Sequence, residues 1–307
     1  MSDAGFSDRA RGAFLGLAVG DALGTTLEFS VRDTQPRHTE MIGGGPFRLQ
    51  PGVWTDDTSM AVALANSLVH CRGFDPADLM ARFLRWMDHG EYSPTGHCFD
   101  IGTTTRQALG RFRGTGDPFA GPTAEDTAGN GSLMRLAPAV LHAFSDPAAC
   151  QALAAEQGRT THGAPQAMDS CRFFADLLRR AITGEARDSV LAPVDWQGHD
   201  AVRAVAAGCW RGWHRDQVSS AGYVVDTLAA ALWSVGTTHS FEAAVILAVN
   251  LADDADTVGA VTGQLAGALY GEAAIPARWL GRVAWRERIA GLTDALIGPV
   301  QAGDAAR

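Results

Sequence analysis

Hydrophobic positions along this 307-residue chain recur mostly at intervals of three and four, the spacing that gathers apolar side chains on one face of a helix. The plainest case follows Asp75-Pro76, where Leu79, Met80, Phe83, Leu84 and Met87 repeat at helical spacing. Asp is a good N-cap and Pro suits the first helical position. The same period predicts helices through Met60/Leu64/Leu68, Met168/Cys171/Ala175/Leu178/Ile182, Leu228/Leu232/Val235, Phe241/Val245/Ala248 and Trp285/Ile289/Leu292/Leu296. Sustained alternation of period two, the mark of a half-buried strand, is absent. Gly- or Pro-containing connections are expected near 30–54, 90–100, 114–131, 184–200, 212–222 and 271–278. The expected fold class is therefore all-α, a multi-helix bundle.

Two of these helices carry glycine at every fourth residue: Gly12, Gly16, Gly20 and Gly24 in the first, and Gly259, Gly263, Gly267 and Gly271 near the C-terminus. Each interior glycine costs about 1 kcal/mol relative to alanine, so the rows need a compensating gain. Close helix crossing supplies one, because a ridge without side chains lets another backbone approach. Either the two rows face each other, which would bring Asp21, Glu28 and Asp256 toward one pocket, or each serves a different neighbour; the pattern leaves both open.

Composition narrows the setting. An apolar fraction of 46% can build a large core, and no Pro/Ser-rich linker or charge block divides the chain, so one domain over 1–307 is expected, with 1–7 and 300–307 as mobile ends. A net charge of -9 and a pI near 5.4 disfavour a broad nucleic-acid or anionic-membrane surface. Cys71, Cys98, Cys150, Cys171 and Cys209 are odd in number and show no C-x-x-C spacing, which fits reduced, mostly buried thiols of a cytoplasmic protein; a monomer is expected. No signal peptide precedes Asp8 and no uncharged apolar run reaches membrane-spanning length.

The candidate chemistry lies in two acidic clusters, Thr55-Asp56-Asp57-Thr58 and Asp253-Asp254-Ala255-Asp256-Thr257, each flanked by apolar helical sequence. Unpaired charge is costly to bury there, so something positive should sit between them. Carboxylate and hydroxyl oxygens with no neighbouring His or Cys favour Mg²⁺, Mn²⁺ or Ca²⁺ over Zn²⁺. Thr55, Asp56, Asp57, Asp254, Asp256 and Thr257 offer enough oxygens for two ions. Simple helix capping explains one such residue per helix, not a run of them in both places.

Other polar groups are candidates on the same grounds. Asp21 and Glu28 stand at the end of the first glycine helix, where the dipole disfavours a carboxylate. Gly129-Asn130-Gly131-Ser132 is expected to open a helix whose N–H groups could hold a phosphate. His162 reads as a cap or surface histidine between two helices, and Asp100, before Thr103-Thr104-Thr105, reads equally well as a cap.

Taken together, Gly12 to Gly24, Trp54-Thr55-Asp56-Asp57-Thr58-Ser59-Met60, Gly129-Asn130-Gly131-Ser132-Leu133-Met134-Arg135 and Asp254-Ala255-Asp256-Thr257-Val258-Gly259 resemble the ADP-ribosylglycohydrolase family. Gly43-Gly44-Gly45, Leu49-Gln50-Pro51-Gly52 and Tyr223-Val224-Val225-Asp226-Thr227 bring the resemblance to the dinitrogenase reductase-activating glycohydrolase branch. The motifs run in order from about residue 8 to the C-terminal helix.

The resemblance implies an orthogonal helical bundle with a binuclear Mg²⁺ or Mn²⁺ cleft. It also implies hydrolysis of the bond between C1″ of ADP-ribose and a modified side chain, typically arginine. Thr55, Asp56, Asp57, Asp254, Asp256 and Thr257 would then be metal ligands, and Glu28 and Asp100 the catalytic carboxylates. Gly129, Asn130, Gly131 and His162 would line the diphosphate and ribose region, and Tyr223 the nucleoside. Expected partners are an ADP-ribosylated protein as substrate and ADP-ribose as product. The rival readings are removal of ADP-ribose from serine, a nucleic acid, a small molecule or an O-acetyl group, and a non-catalytic ADP-ribose-binding protein.

One departure from the branch pattern stands out. Where it reads Gly-Gly-Asp-Ala-Asp-Thr, this chain has Ala252-Asp253-Asp254-Ala255-Asp256-Thr257. Glycine at such a turn often serves a positive φ, so the backbone is expected to take a slightly different path, with Asp253 as a solvent-facing helix cap or as added charge at the metals.

Overall fold

The glycine rows decide the architecture. The computed structural model describes residues 3–304, and in it the first helix, α1 (Asp3–Gly24), lies against the helix Ala255–Tyr270. Gly12 faces Gly267, Gly16 faces Gly263, Gly20 faces Gly259 and Gly24 faces Ala255, so the two helices run antiparallel. A Cβ placed on Gly16 would overlap the Gly263 carbonyl oxygen, and one on Gly263 would overlap that of Gly16. Of the two arrangements left open by the sequence, the rows face each other.

The remaining helices are α2 (Asp56–Cys71), α3 (Pro76–His89), α4 (Thr103–Thr115), α5 (Ala137–Ala143), α6 (Pro147–Arg159), α7 (Pro165–Ile182), α8 (Arg187–Val190), α9 (Asp200–Ala206), α10 (Val224–Gly236), α11 (Phe241–Val249), α12 (Ala255–Tyr270), α13 (Ala277–Leu280) and α14 (Arg286–Asp304). No sheet forms among the described residues; the only strand-like pairings there are the isolated bridges Gly44 to Leu49 and Gly129 to Tyr223. The all-α expectation is therefore met.

The central α1/α12 pair is surrounded by α7, α10, α11 and α14. Trp54, Phe14, Phe83, Phe174 and Phe241 are fully buried in one continuous apolar cluster. Among the described residues no helix is long and apolar enough to cross a membrane. All five cysteines are free; Cys150 and Cys171 are buried and Cys209 is exposed.

Local signals explain several helix starts. Asp75 Oδ1 accepts the N–H groups of Ala77 and Asp78 at 2.9 and 3.0 Å, with Pro76 at the first helical position. Asp146 and Pro147 repeat this device for α6, with Asp146 Oδ1 accepting from Ala148 and Ala149 at 2.8 and 3.1 Å. The same dipeptide signal could have placed α6 from sequence.

Two expectations about elements need correction. Gly129-Asn130-Gly131-Ser132 does not open a helix: residues 131–135 form a turn closed by Leu133 and Met134 N–H to Asn130 O, and α5 starts only at Ala137. Trp285 has φ 59° and stands just outside α14. Of the expected mobile ends, residues 1–2 and 305–307 lie outside the described residues, while 3–7 and 300–304 are helical, in α1 and α14.

Candidate active site

Because α1 and α12 are antiparallel, the end of the first meets the start of the second, and the N-terminus of α2 arrives at the same point. Asp21, in the last turn of α1, is fully buried. Its Oδ1 accepts the Thr55 N–H and hydroxyl at 2.9 and 3.0 Å, and its Oδ2 those of Thr58 at 3.0 and 2.6 Å. Asp21 thus caps α2 from another helix and aims the Thr55–Asp57 run inward. The dipole penalty at the end of α1 is offset by the positive end of α2.

Glu28 does the same for α12. Its Oε2 accepts the N–H of Ala255 at 2.8 Å and of Asp256 at 3.3 Å, so the residue that leaves α1 orders the second acidic motif. Glu28, Asp100 and Asp256 each present an oxygen within 4.8 Å of the others. Thr55 and Thr257 hydroxyls reach Asp57 Oδ2 at 3.4 and 3.5 Å, joining the two motifs. Asp254 Oδ2 accepts from Asn130 Nδ2 at 2.7 Å, tying the metal-type residues to the Gly129–Gly131 turn.

Glu28, Asp56, Asp100, Asn130, His162, Asp254 and Asp256 line a cleft of about 570 Å³, whereas Thr55 and Asp57 are not among its lining residues and join it through Thr257. Gly129, Gly131 and Thr257 line it too, and Arg106 stands at the same cleft. Tyr223 is partly exposed and is joined to the wall through its main-chain bridge with Gly129; the neighbouring Gly222, rather than Tyr223, lines the cleft. Asp100 is no helix cap: α4 begins after Gly102 without a side-chain cap, and Asp100 holds φ 60°. His162 is buried and lines the cleft rather than the surface.

Burial and mutual repulsion dominate the electrostatics. Burial, then Asp256, pushes Asp21 and Asp254 up to about 7, and the same causes push Asp100 up to about 9. Burial, followed by the neighbouring carboxylates, drives Asp56, Asp57 and Glu28 well above the carboxylate range. No Arg side chain pairs with any of these groups among the described residues. The site therefore gathers buried carboxyl groups that repel one another, cannot all ionise unaided and have no Arg paired directly with them.

Comparison with known proteins places this geometry. The sequence model of the ADP-ribosylglycohydrolase family matches residues 2–305. The chain belongs to the ADP-ribosylglycohydrolase family. It is 45% identical over 289 residues to ADP-ribosylarginine hydrolase Tri1 of Serratia proteamaculans (strain 568), covering 94% of this chain and 79% of that protein. It is 35% identical over 293 residues to the ADP-ribosyl-[dinitrogen reductase] glycohydrolase of Rhodospirillum rubrum, covering 92% of each. A solved structure described as an ADP-ribosylglycohydrolase-related protein complex superposes with a TM-score of 0.86 at 47% identity, covering 96% of this chain and 99% of that one.

The residues of this ADP-ribosylglycohydrolase fit the divalent cations that the family resemblance implies. Asp57 Oδ1 and Asp256 Oδ2 are buried without any hydrogen-bond partner, a costly state for a carboxylate oxygen unless a cation satisfies it. The donors are all oxygen, as hard cations require. Thr55 Oγ1 lies closer to Asp21 Oδ1, at 3.0 Å, than to Asp57 Oδ2, at 3.4 Å; donating its one hydrogen to Asp21 leaves its lone pairs for an ion. The acidic cluster of Glu28, Asp100 and Asp256 could itself hold a metal.

Asp253 is corrected in one respect. It is exposed and lines the same cleft as Asp254 and Asp256, but makes no cap bond, because Glu28 already occupies the α12 N-terminus. Ala252 and Asp253 both hold the left-handed conformation, φ 60° and 62°, which glycine adopts without strain. Main-chain bonds from Phe29 N to Asp253 O and from Asp253 N to Ser30 O, 2.8 and 3.0 Å, lock them there.

Proposed function

We propose that this chain is a hydrolase that removes ADP-ribose from an arginine side chain of a modified protein, with two divalent cations, Mg²⁺ or Mn²⁺, as cofactors. The observation that carries the reading is the pair of unpartnered buried oxygens, Asp57 Oδ1 and Asp256 Oδ2, of which Asp256 lines the cleft that also contains the Gly129–Gly131 turn and His162. The Serratia relative bears the name of an ADP-ribosylarginine hydrolase, which supports arginine over serine or an O-acetyl group. The net charge of -9 argues against a nucleic-acid conjugate.

Thr55, Asp56, Asp57, Asp254, Asp256 and Thr257 would hold the cations, which supply positive charge for fixing the ribose hydroxyls and stabilising the transition state. The chain's own residues do the rest. Asn130, already anchored to Thr227 and Asp254 at 2.9 and 2.7 Å, orients the turn against which the diphosphate lies. Holding the ribose there removes much of the entropic barrier as the bond from C1″ to the guanidinium nitrogen breaks and water bonds to C1″. One water proton ends on the departing guanidine, restoring arginine. The positive charge of bound cations would bring Glu28 and Asp100 to their ionised forms; Glu28, with Oε2 committed to α12, then has Oε1 to take the proton from water, and Asp100 faces the guanidinium as its hydrogen-bond acceptor.

The test compares release of free ADP-ribose from arginine-, serine- and nucleic-acid-linked substrates. Arginine-linked substrate should turn over fastest; faster release from serine or nucleic acid would overturn the assignment. Binding of ADP-ribose without turnover of any conjugate would favour a binding protein.

A further inference from the structure

Behind the cleft sits a buried cation without a carboxylate. Arg135 is fully buried, in a setting where a charge normally demands an anionic partner. Its Nε donates to Gln157 Oε1 at 2.9 Å, and its Nη2 donates to Gln157 O at 2.9 Å and Thr161 Oγ1 at 2.8 Å. Its guanidinium lies 4.8 Å from the centre of the Phe83 ring, a cation–π contact. Gln157 in turn donates from Nε2 to Ser132 O at 2.9 Å. One network therefore joins the Gly129–Ser132 turn to the segment that carries His162.

The next link sets a proton. Thr161 Oγ1 lies 2.9 Å from His162 Nδ1. Having accepted from Arg135, the Thr161 hydroxyl has its own hydrogen left to donate, and His162 Nδ1 is the acceptor within reach. A ring nitrogen that accepts leaves the other to carry the hydrogen. That other nitrogen, Nε2, faces the turn: a Cβ on Gly129 or Gly131 would come within 3.4 or 3.0 Å of it. The two glycines thus leave room between His162 and whatever lies in the cleft. Burial and then the Arg135 charge hold His162 down to about 3, so the ring is neutral at physiological pH.

We propose that Arg135 is a positioning residue that, through Thr161, fixes His162 as the Nε2–H tautomer and so supplies the cleft with a neutral N–H donor for an oxygen of ADP-ribose. This rests on the functional reading above for the identity of the ligand. It explains why a bare guanidinium is kept in the interior: a carboxylate partner there would compete for its donors and leave Thr161 free to accept from His162 instead.

The direct test is the ring ¹⁵N spectrum of His162, assigned by its loss in His162→Asn, together with calorimetric binding of ADP-ribose. The wild type should show Nε2–H. Thr161→Val, nearly isosteric, cuts the relay without removing the buried charge; it should populate Nδ1–H and weaken ADP-ribose binding about tenfold, as expected for one lost hydrogen bond. Thr161→Ser should restore both readouts, and Arg135→Met should shift the tautomer as Thr161→Val does. An Nδ1–H wild type, or Thr161→Val with unchanged tautomer and affinity, would overturn the proposal. A wild type that binds no ADP-ribose would count against the functional reading, while the tautomer spectra still decide the relay.

Discussion

Glu28 and Ala255 lie 227 residues apart, yet Glu28 Oε2 accepts the Ala255 N–H at 2.8 Å and caps the helix that carries the second acidic motif. Position and chemistry can therefore be separated at Glu28. Gln keeps an acceptor oxygen for the cap but lacks the negative charge, so Glu28→Gln should fold with nearly wild-type stability and lose ADP-ribose release. Glu28→Ala should in addition cost about 1 to 2 kcal/mol for the lost cap. Chemical denaturation of both variants checks this; equal destabilisation would mean that the cap bond carries little.

The Gly16–Gly263 crossing gives a second expectation. Even a methyl group at either position overlaps the opposing carbonyl oxygen, and backbone on both sides leaves little room to give. Gly16→Ala and Gly263→Ala should each lose at least about 1 to 3 kcal/mol, the usual range for overpacking. Unchanged urea midpoints would contradict the close antiparallel packing.

Ala252 offers the opposite case. A buried alanine with φ 60° is strained, and glycine accepts that conformation freely. Ala252→Gly should stabilise the fold by about 1 kcal/mol, measured by the same denaturation; a loss of stability would show that the methyl contacts outweigh the strain.

His162 should leave a mark on acid stability. Its folded value, about 3, lies below the ordinary 6.5, so between them the unfolded chain binds a proton that the folded chain does not. Stability from this residue is intact above 6.5 and is lost as the pH falls toward 3. His162→Asn removes that dependence, and its stability should fall less than that of the wild type between neutral and mildly acid pH. Parallel pH profiles would refute the buried neutral ring.

How far the sequence revealed this site depended on the range of each interaction. Asp56, Asp57, Asp254 and Asp256 were legible because ligand-type residues cluster locally against apolar helices, and the helix period exposed α2, α3, α7, α10 and α11. The facing of the two glycine rows was not legible, since nothing local fixes which ridges meet. The capping of α2 by Asp21 and of α12 by Glu28 was equally hidden, because each is set by a contact between helices. The Asp253 cap failed for that reason: local pattern favoured it, but Glu28 had the position. Arg135 was visible only as the end of a motif, and its partners Gln157 and Thr161 lie 22 and 26 residues away.

The account stands most directly on one measurement: release of free ADP-ribose from an arginine-modified protein by EDTA-treated chain, with and without added Mn²⁺ or Mg²⁺, for the wild type and for Asp57→Asn and Asp256→Asn. Turnover should be absent in EDTA, return with the cation in the wild type, and stay absent in both variants while their circular dichroism remains that of a folded helical protein. Full turnover by the metal-free wild type, or by either variant, would contradict it.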